Sequence, residues 1–206
     1  MIALPWKGQS FSVMARTKDF DENEVMTRAM ELFWLKGYNA TSMQDLVDGL
    51  GISRSSLYDT YGDKHSLFIR SLENYEAIAG GKIAGIVDNA PSAKAAVRSM
   101  LEYITDELLA DREHKGCFLV NVAVEVASQD KEVSNIVCEN DRRVEEFFYA
   151  AIKKGLDSGE IKNKQDARAL ARFVFNNVKG IRVAARSTSD KAFFDDIIEL
   201  TMSVLN

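Results

Sequence analysis

Over residues 21–36 the apolar positions Val25, Ala29, Leu32 and Phe33 fall at i, i+4, i+7 and i+8, which is one stripe of a 3.6-residue period. Asp21, Glu22 and Glu24 place negative charge in the first turn and Gly37 supplies a stop, so the pattern predicts a first helix there. Thr41 followed by Gln44 reads as a capping box opening a second helix, with Leu46 and Val47 turned inward and Gly49 at its end. After a tight turn at Gly51 and Ile52, Ser53 is placed to cap a short third helix carrying Arg54, Ser55, Ser56, Leu57 and Tyr58. Gly62 closes it, and Asp63 caps a fourth helix running to about residue 89. Two short helices joined by a glycine-containing turn form a helix-turn-helix layout, in which one helix braces while the next enters a groove about 12 Å wide.

Beyond Ser92 the periodicity predicts helices near 92–110, 116–127, 130–158, 163–187 and 190–205. Asn163, Asp166 and Asp190 are expected to stabilise the N-termini of the last two. Phe118, Val120, Val122, Val124 and Val126 alternate as a strand would. A lone strand would leave its backbone groups unpaired, so the segment is read as helix. The eighth helix is apolar almost all round, with Leu170, Phe173, Val174, Phe175, Val178, Ile181 and Val183. The ninth carries Phe193, Ile197, Leu200 and Val204 on one side, with Phe194, Ile198 and Leu205 beside them. That much apolar surface points to a subunit interface built like half of a four-helix bundle, the alternative being a thick monomer core.

Composition narrows the class. The only prolines are Pro5 and Pro91, so about 190 residues contain a single helix breaker and the chain reads as all-α, with about nine helices. Cys117 and Cys138 are too few for a disulfide framework and there is no CxxC pair, which fits a reducing cytosol. No apolar run approaches the roughly 20 residues that span a bilayer, so no membrane partner is expected. Residues 1–13 are not a secretory signal, because Lys7 and Gln9 interrupt their apolar segment. They are expected to be a disordered leader or an alternative start, with Met14 as the natural first residue.

Three stretches within residues 15–73 carry a resemblance. They are Gly37-Tyr38-Asn39-Ala40-Thr41-Ser42, Leu50-Gly51-Ile52-Ser53 and Ser56-Leu57-Tyr58-Asp59-Thr60-Tyr61-Gly62-Asp63-Lys64. Together they resemble the DNA-binding domain of TetR/AcrR-family bacterial regulators. The resemblance implies a helix-turn-helix domain over 14–66 and a C-terminal helical effector-binding and dimerisation domain over 67–206. It also implies a homodimer, joined through the last two helices, that reads a palindromic operator in double-stranded DNA. A small-molecule effector would then move the fourth helix and spread the two recognition helices.

Carried over position by position, the family pattern makes Thr41 and Ser42 phosphate contacts at the start of the second helix. Arg54, Ser55 and Ser56 form the exposed head of the recognition helix. Tyr58 and Tyr61 match aromatic positions that touch phosphate or base edges, and Lys64 matches a phosphate-binding lysine. Independently, Arg54 is the one side chain there able to grip a guanine edge bidentately, and helix N-termini attract phosphate. Tyr58 and Tyr61 also read as core packing, and Leu57 reads as core outright. Over residues 15–66, six cations face nine anions, a net of −3 where a DNA-binding face usually carries a basic excess. The reading therefore requires Arg16, Lys18, Arg54 and Lys64 to converge while the acids point elsewhere, and it predicts a shallow salt dependence.

In the C-terminal part, a helical reading puts Cys117, Asn121 and Glu125 on one polar stripe, which must be hydrogen-bonded or ligand-facing. A Gly-Cys pair here resembles a branch of the family that senses electrophiles or oxidants; buried packing is the other reading of Cys117. Tyr103, Phe147 and Asn177 are further candidate pocket residues or core, and Cys138 reads as structural. His114 and Cys117 have the spacing of half a metal site with nothing to complete it, so no metal and no cofactor are expected. Gly80, Gly81 and Gly85 weaken the fourth helix, either to tune its response or to allow close packing. An enzyme has little support: there are two distant histidines, no Ser/His/Asp grouping and no phosphate-binding loop. The remaining alternative is a helical dimer that acts through protein contacts and no longer binds an operator.

Overall fold

A computed structural model describes residues 20–206. Among them are nine helices and no strand: α1 Glu22–Lys36, α2 Met43–Leu50, α3 Arg54–Tyr61, α4 Lys64–Asn89, α5 Ala93–Ala110, α6 Phe118–Glu125, α7 Lys131–Asp157, α8 Ala167–Ala184 and α9 Lys191–Ser203. The leader 1–13 and the cations Arg16 and Lys18 lie outside the described residues. No described helix is long and apolar enough to cross a membrane.

Short polar side chains start almost every helix. Asp21, Ser42, Ser53, Asp63, Ser92, Asp130, Asp166 and Asp190 each accept a backbone N–H from the first turn that follows. Helix α6 is the exception: Cys117 precedes it in extended backbone and makes no side-chain cap. The alternating valines at 120–126 are thus helical up to Glu125, as the lack of a pairing strand requires.

Two details depart from expectation. The cap of α2 is Ser42 with Asp45 as its reciprocal partner, not Thr41 with Gln44. The turn after Gly37 buries Thr41 and directs its hydroxyl to the Gly37 carbonyl at 2.6 Å, so the next residue takes the cap. Likewise α8 begins at Ala167, because Asn163 is held in the preceding turn, donating to the Val204 carbonyl at 2.6 Å.

Buried side chains form two clusters. The lower one joins α1–α3 and the start of α4 to α6 and the start of α7: Phe33, Leu46, Leu57, Leu67 and Phe68 meet Phe118, Leu119, Val122 and Val133. The upper one joins the rest of α4 and α7 to α5, α8 and α9 around Met100, Leu101, Phe148, Ile152, Val178 and Phe194. The two long helices α4 and α7 enter both. Packing therefore draws α6 down onto the N-terminal helices, although it lies some 50 residues beyond them in sequence.

Candidate nucleic-acid interface and the cavity behind it

Helix α3 is amphipathic over only eight residues, and this decides what it presents. Leu57 and Tyr61 are buried against the lower core, which leaves Ser53, Arg54, Ser55 and Tyr58 exposed. Ser53 Oγ accepts the Ser56 backbone N–H at 3.1 Å and lies 2.9 Å and 2.8 Å from the Ser55 and Ser56 hydroxyls. Beside this hydroxyl cluster, Arg54 Nη2 donates to Gln44 Oε1 of α2 at 3.4 Å, and Gln44 is in turn held by Asp48 at 2.8 Å. An exposed helix N-terminus, small hydroxyls and one outward guanidinium make a surface suited to phosphate and base-edge hydrogen bonding.

The other expected contacts divide. Tyr58 is 46% exposed and Ser42 lies on the surface, its hydroxyl engaged in the cap. Lys64 opens α4 with its ammonium 4.3 Å from the centre of the Tyr38 ring; partial burial lowers its pKa. Two assignments are corrected. Thr41 is 1% exposed with its hydroxyl committed to Gly37, so it does not face a phosphate. Tyr61 is a core residue whose hydroxyl donates to the Glu22 carbonyl at 3.4 Å.

Two of the cations are spent on acids within the unit, so the net charge of −3 is unchanged. Lys36 pairs with Asp45 at 2.5 Å and Arg28 with Glu24 at 2.5 Å. Hydrogen bonds from Lys36 and Ser42 hold the Asp45 carboxyl far below the ordinary carboxylate range.

Behind this unit a cavity of about 200 Å³ opens between α1, α4, α5 and α8. Met30, Ile78, Ile83, Ile104 and Leu108 give it an apolar wall, and Trp34, Tyr75 and Tyr103 an aromatic one. Cys117 and Gly116, from the loop before α6, reach it as well. Gly116 has φ +69°, and a Cβ there would meet Arg186 Cγ at 2.8 Å, so this close approach of the loop to α8 needs glycine. The Gly116 carbonyl accepts the Trp34 indole N–H at 3.1 Å, and the Tyr75 hydroxyl donates to Cys117 Sγ at 3.6 Å. Burial pushes the Tyr75 phenol well above its ordinary range, so it stays neutral.

Of the predicted effector residues, Tyr103 and Cys117 line this cavity and the others do not. The expected stripe fails because Cys117 is not helical, which breaks its register with Asn121 and Glu125. Asn121 Nδ2 donates to the Lys115 carbonyl at 2.7 Å. Glu125 sits at the far end of α6 and accepts the backbone N–H groups of Tyr38 and Asn39 at 3.2 Å and 2.8 Å. Phe147 packs on the upper core, and Asn177 donates to Thr201 Oγ1 of α9 at 2.9 Å. Cys138 is exposed on α7, not a core residue, because its position falls between the inward Val137 and Asn140. His114 and Cys117 gain no further His, Cys, Asp or Glu to complete a metal-binding group among the described residues.

Among the cavity residues that escaped the sequence reading are Trp34, Tyr75 and Arg182. A signal existed for Arg182, a charge between Ile181 and Val183 on an apolar helix.

The description "Bacterial regulatory proteins, tetR family" matches residues 25–70, and "Tetracyclin repressor-like, C-terminal domain" matches residues 91–200. The HTH-type transcriptional regulator YezE of Bacillus subtilis strain 168 is 34% identical over 197 residues, covering 94% of this chain and all of YezE. The HTH-type transcriptional repressor ComR of Escherichia coli K12 is 27% identical, with 83% of this chain and 82% of ComR covered. In structure, a cysteine mutant of the TetR family transcriptional regulator CifR complexed with 26bp double-strand operator DNA superposes with a TM-score of 0.84. That match is at 24% identity and covers 93% of this chain and all of that one.

Proposed function

This chain belongs to the tetR family of bacterial regulatory proteins, and from that membership we infer that it is a homodimeric, operator-binding repressor released by a small molecule held in the cavity. One observation carries the reading: α4 begins in the same core as α3, with Leu67 and Phe68 beside Leu57 and Tyr61, and further along forms a wall of the cavity. A ligand that parts α4 from α5 and α8 acts on the same helix whose first turns share a core with Leu57 and Tyr61 of α3. Helix α6 gives a second route, with the Cys117 loop at the cavity and Glu125 on the α1–α2 turn. At about 1.5 Å per residue, its eight residues span roughly 12 Å.

Self-association is supported by the faces that α8 and α9 leave open. Phe173, Phe193 and Leu200 are large, apolar and exposed in the single chain, and a second copy would bury them. Two helix-turn-helix units held this way fit a palindromic operator. The regulatory division we assign is 14–66 for DNA and 67–206 for effector and partner.

The direct test is a gel shift with DNA from upstream of the protein's own gene. A specific complex at low salt that Arg54→Ala weakens is expected; no specific complex favours the helical interaction protein instead. Because Cys117 is only 3% exposed yet lines the cavity, an electrophile must enter the cavity to reach it. If the thiol is the trigger, Cys117→Ser keeps operator binding and loses release by electrophiles. Unchanged release returns Cys117 to a packing role.

A further inference from the structure

Four charged side chains line the cavity, and three of them are spoken for. Lys82 and Glu107 pair across the mouth at 3.2 Å, and the Asp111 carboxylate takes the Lys115 ammonium at 2.9 Å. Arg182 is the fourth. It is 8% exposed, and among the described residues its guanidinium makes no hydrogen bond and no ion pair. Its charge is nonetheless felt inside the cavity, where it counteracts the rise that burial imposes on the Tyr75 phenol.

A charge facing an apolar cavity without a carboxylate against it is poorly compensated, and on this helix face, beside Val178 and Ile181, an apolar side chain of similar length would fit the cavity wall equally well. The charge is compensated when an anion enters. A guanidinium presents a planar fork that matches a carboxylate bidentately. The wall opposite is apolar and aromatic, which suits a hydrocarbon body and not a second charge. One unpaired cation balances one negative charge, so a dianionic phosphate would remain under-neutralised. At about 200 Å³ the space is below the roughly 300–1,000 Å³ of pockets for drug-sized ligands, so the occupant is small.

We propose that the cavity recognises a small monocarboxylic acid with an apolar or aromatic body, its carboxylate gripped by Arg182 and its body lying against Ile78, Ile104 and Leu108. This rests on the reading of the cavity as the effector site and names the chemistry that site selects. Arg182 discriminates by charge.

The test compares hexanoate, phenylacetate and 3-phenylpropionate with hexanamide, phenylacetamide and 3-phenylpropionamide, matched in shape and differing in charge. Calorimetric titration reads binding, and fluorescence anisotropy reads release of labelled operator. The acids are expected to bind at least tenfold more tightly than their amides and to release operator. Arg182→Met is expected to erase that preference while leaving amide binding, operator binding and melting temperature unchanged or raised, because it removes an unpartnered charge. Amides that match the acids on the wild-type protein, or an acid preference that survives Arg182→Met, overturn the proposal. So does a variant that melts markedly lower, which would make Arg182 a structural residue. Release by the amides alone overturns only the acid assignment and leaves the effector reading standing. An operator complex that forms but yields to no member of either series removes both.

Discussion

In its N-terminal half α4 buries Leu67, Phe68, Ile69 and Leu72, whereas in its C-terminal half only Ile83 is buried. The first half is fixed at its base as well: Asp63 caps it, and His65 bonds to Asp130 of α7 at 2.7 Å. The second half carries Gly80, Gly81 and Gly85, each with open space where a Cβ would stand, so close packing is not why they are glycine. Yet this lightly held half supplies Ile78, Lys82 and Ile83 to the cavity. One helix is thus held firmly where it packs on the helix-turn-helix unit and loosely where it lines the cavity.

Four measurements break or sharpen that contrast. Phe68 is fully buried, with the Phe33 ring edge-on at 5.1 Å, so Phe68→Ala should lower the unfolding free energy in urea by about 3–5 kcal/mol. Ile78→Ala, half exposed on the other half, should stay within about 0.5 kcal/mol; comparable costs would abolish the asymmetry. Glu125→Ala removes the acceptor of the Tyr38 and Asn39 amides and should cost about 1 kcal/mol, with faster hydrogen exchange at those two amides. Unaltered exchange there would show that the α6 contact carries no load.

Smaller still, Gly80→Ala and Gly81→Ala should each stabilise by up to about 1 kcal/mol in the open space available, and should blunt effector release without weakening operator binding. Loss of stability would mean that these positions are not simply soft. The smallest effect is on pH. The Asp63 and Asp130 carboxyls are held below their ordinary values by backbone N–H groups of the helices they cap, with His65 adding to the effect at Asp130. Their contribution is fully present above the unfolded carboxylate pKa of about 3.9 and is lost as pH falls through the lower folded values. Asp63→Asn and Asp130→Asn should therefore flatten the acid limb of a melting-temperature profile by lowering its neutral plateau slightly, with the least change below the folded carboxylate pKa values, where the wild-type groups are protonated too.

Much of the fold was legible because its signals are local. Period, caps and terminating glycines act within four residues, and eight of the nine helices among the described residues follow from them; α6, with strand-like alternation and no side-chain cap, follows only from the lack of a pairing strand. The misplacements have local causes too. Thr41 and Ser42 are adjacent, chemically equivalent cap candidates, and only the burial of Thr41 decides between them. The Arg54 head was legible because Ser53 caps the helix immediately before it and the resemblance places it there, whereas Tyr61 was read outward and is core. The cavity was not, because Trp34, Tyr75 and Arg182 come from three helices separated by about 40 and 107 positions. Nor does spacing along α6 reveal that Glu125 reaches down to a turn 87 residues earlier.

That last contact limits how the molecule can be recombined. Gly37 has φ +83°, and a Cβ there would stand 2.8 Å from Glu125 Oε2, so the turn and the carboxylate fit one another as a pair. A chimaera grafting residues 20–66 onto the body of another regulator leaves two amides without their acceptor unless that body offers a carboxylate in the same place. The two positions must therefore be transplanted together or redesigned together.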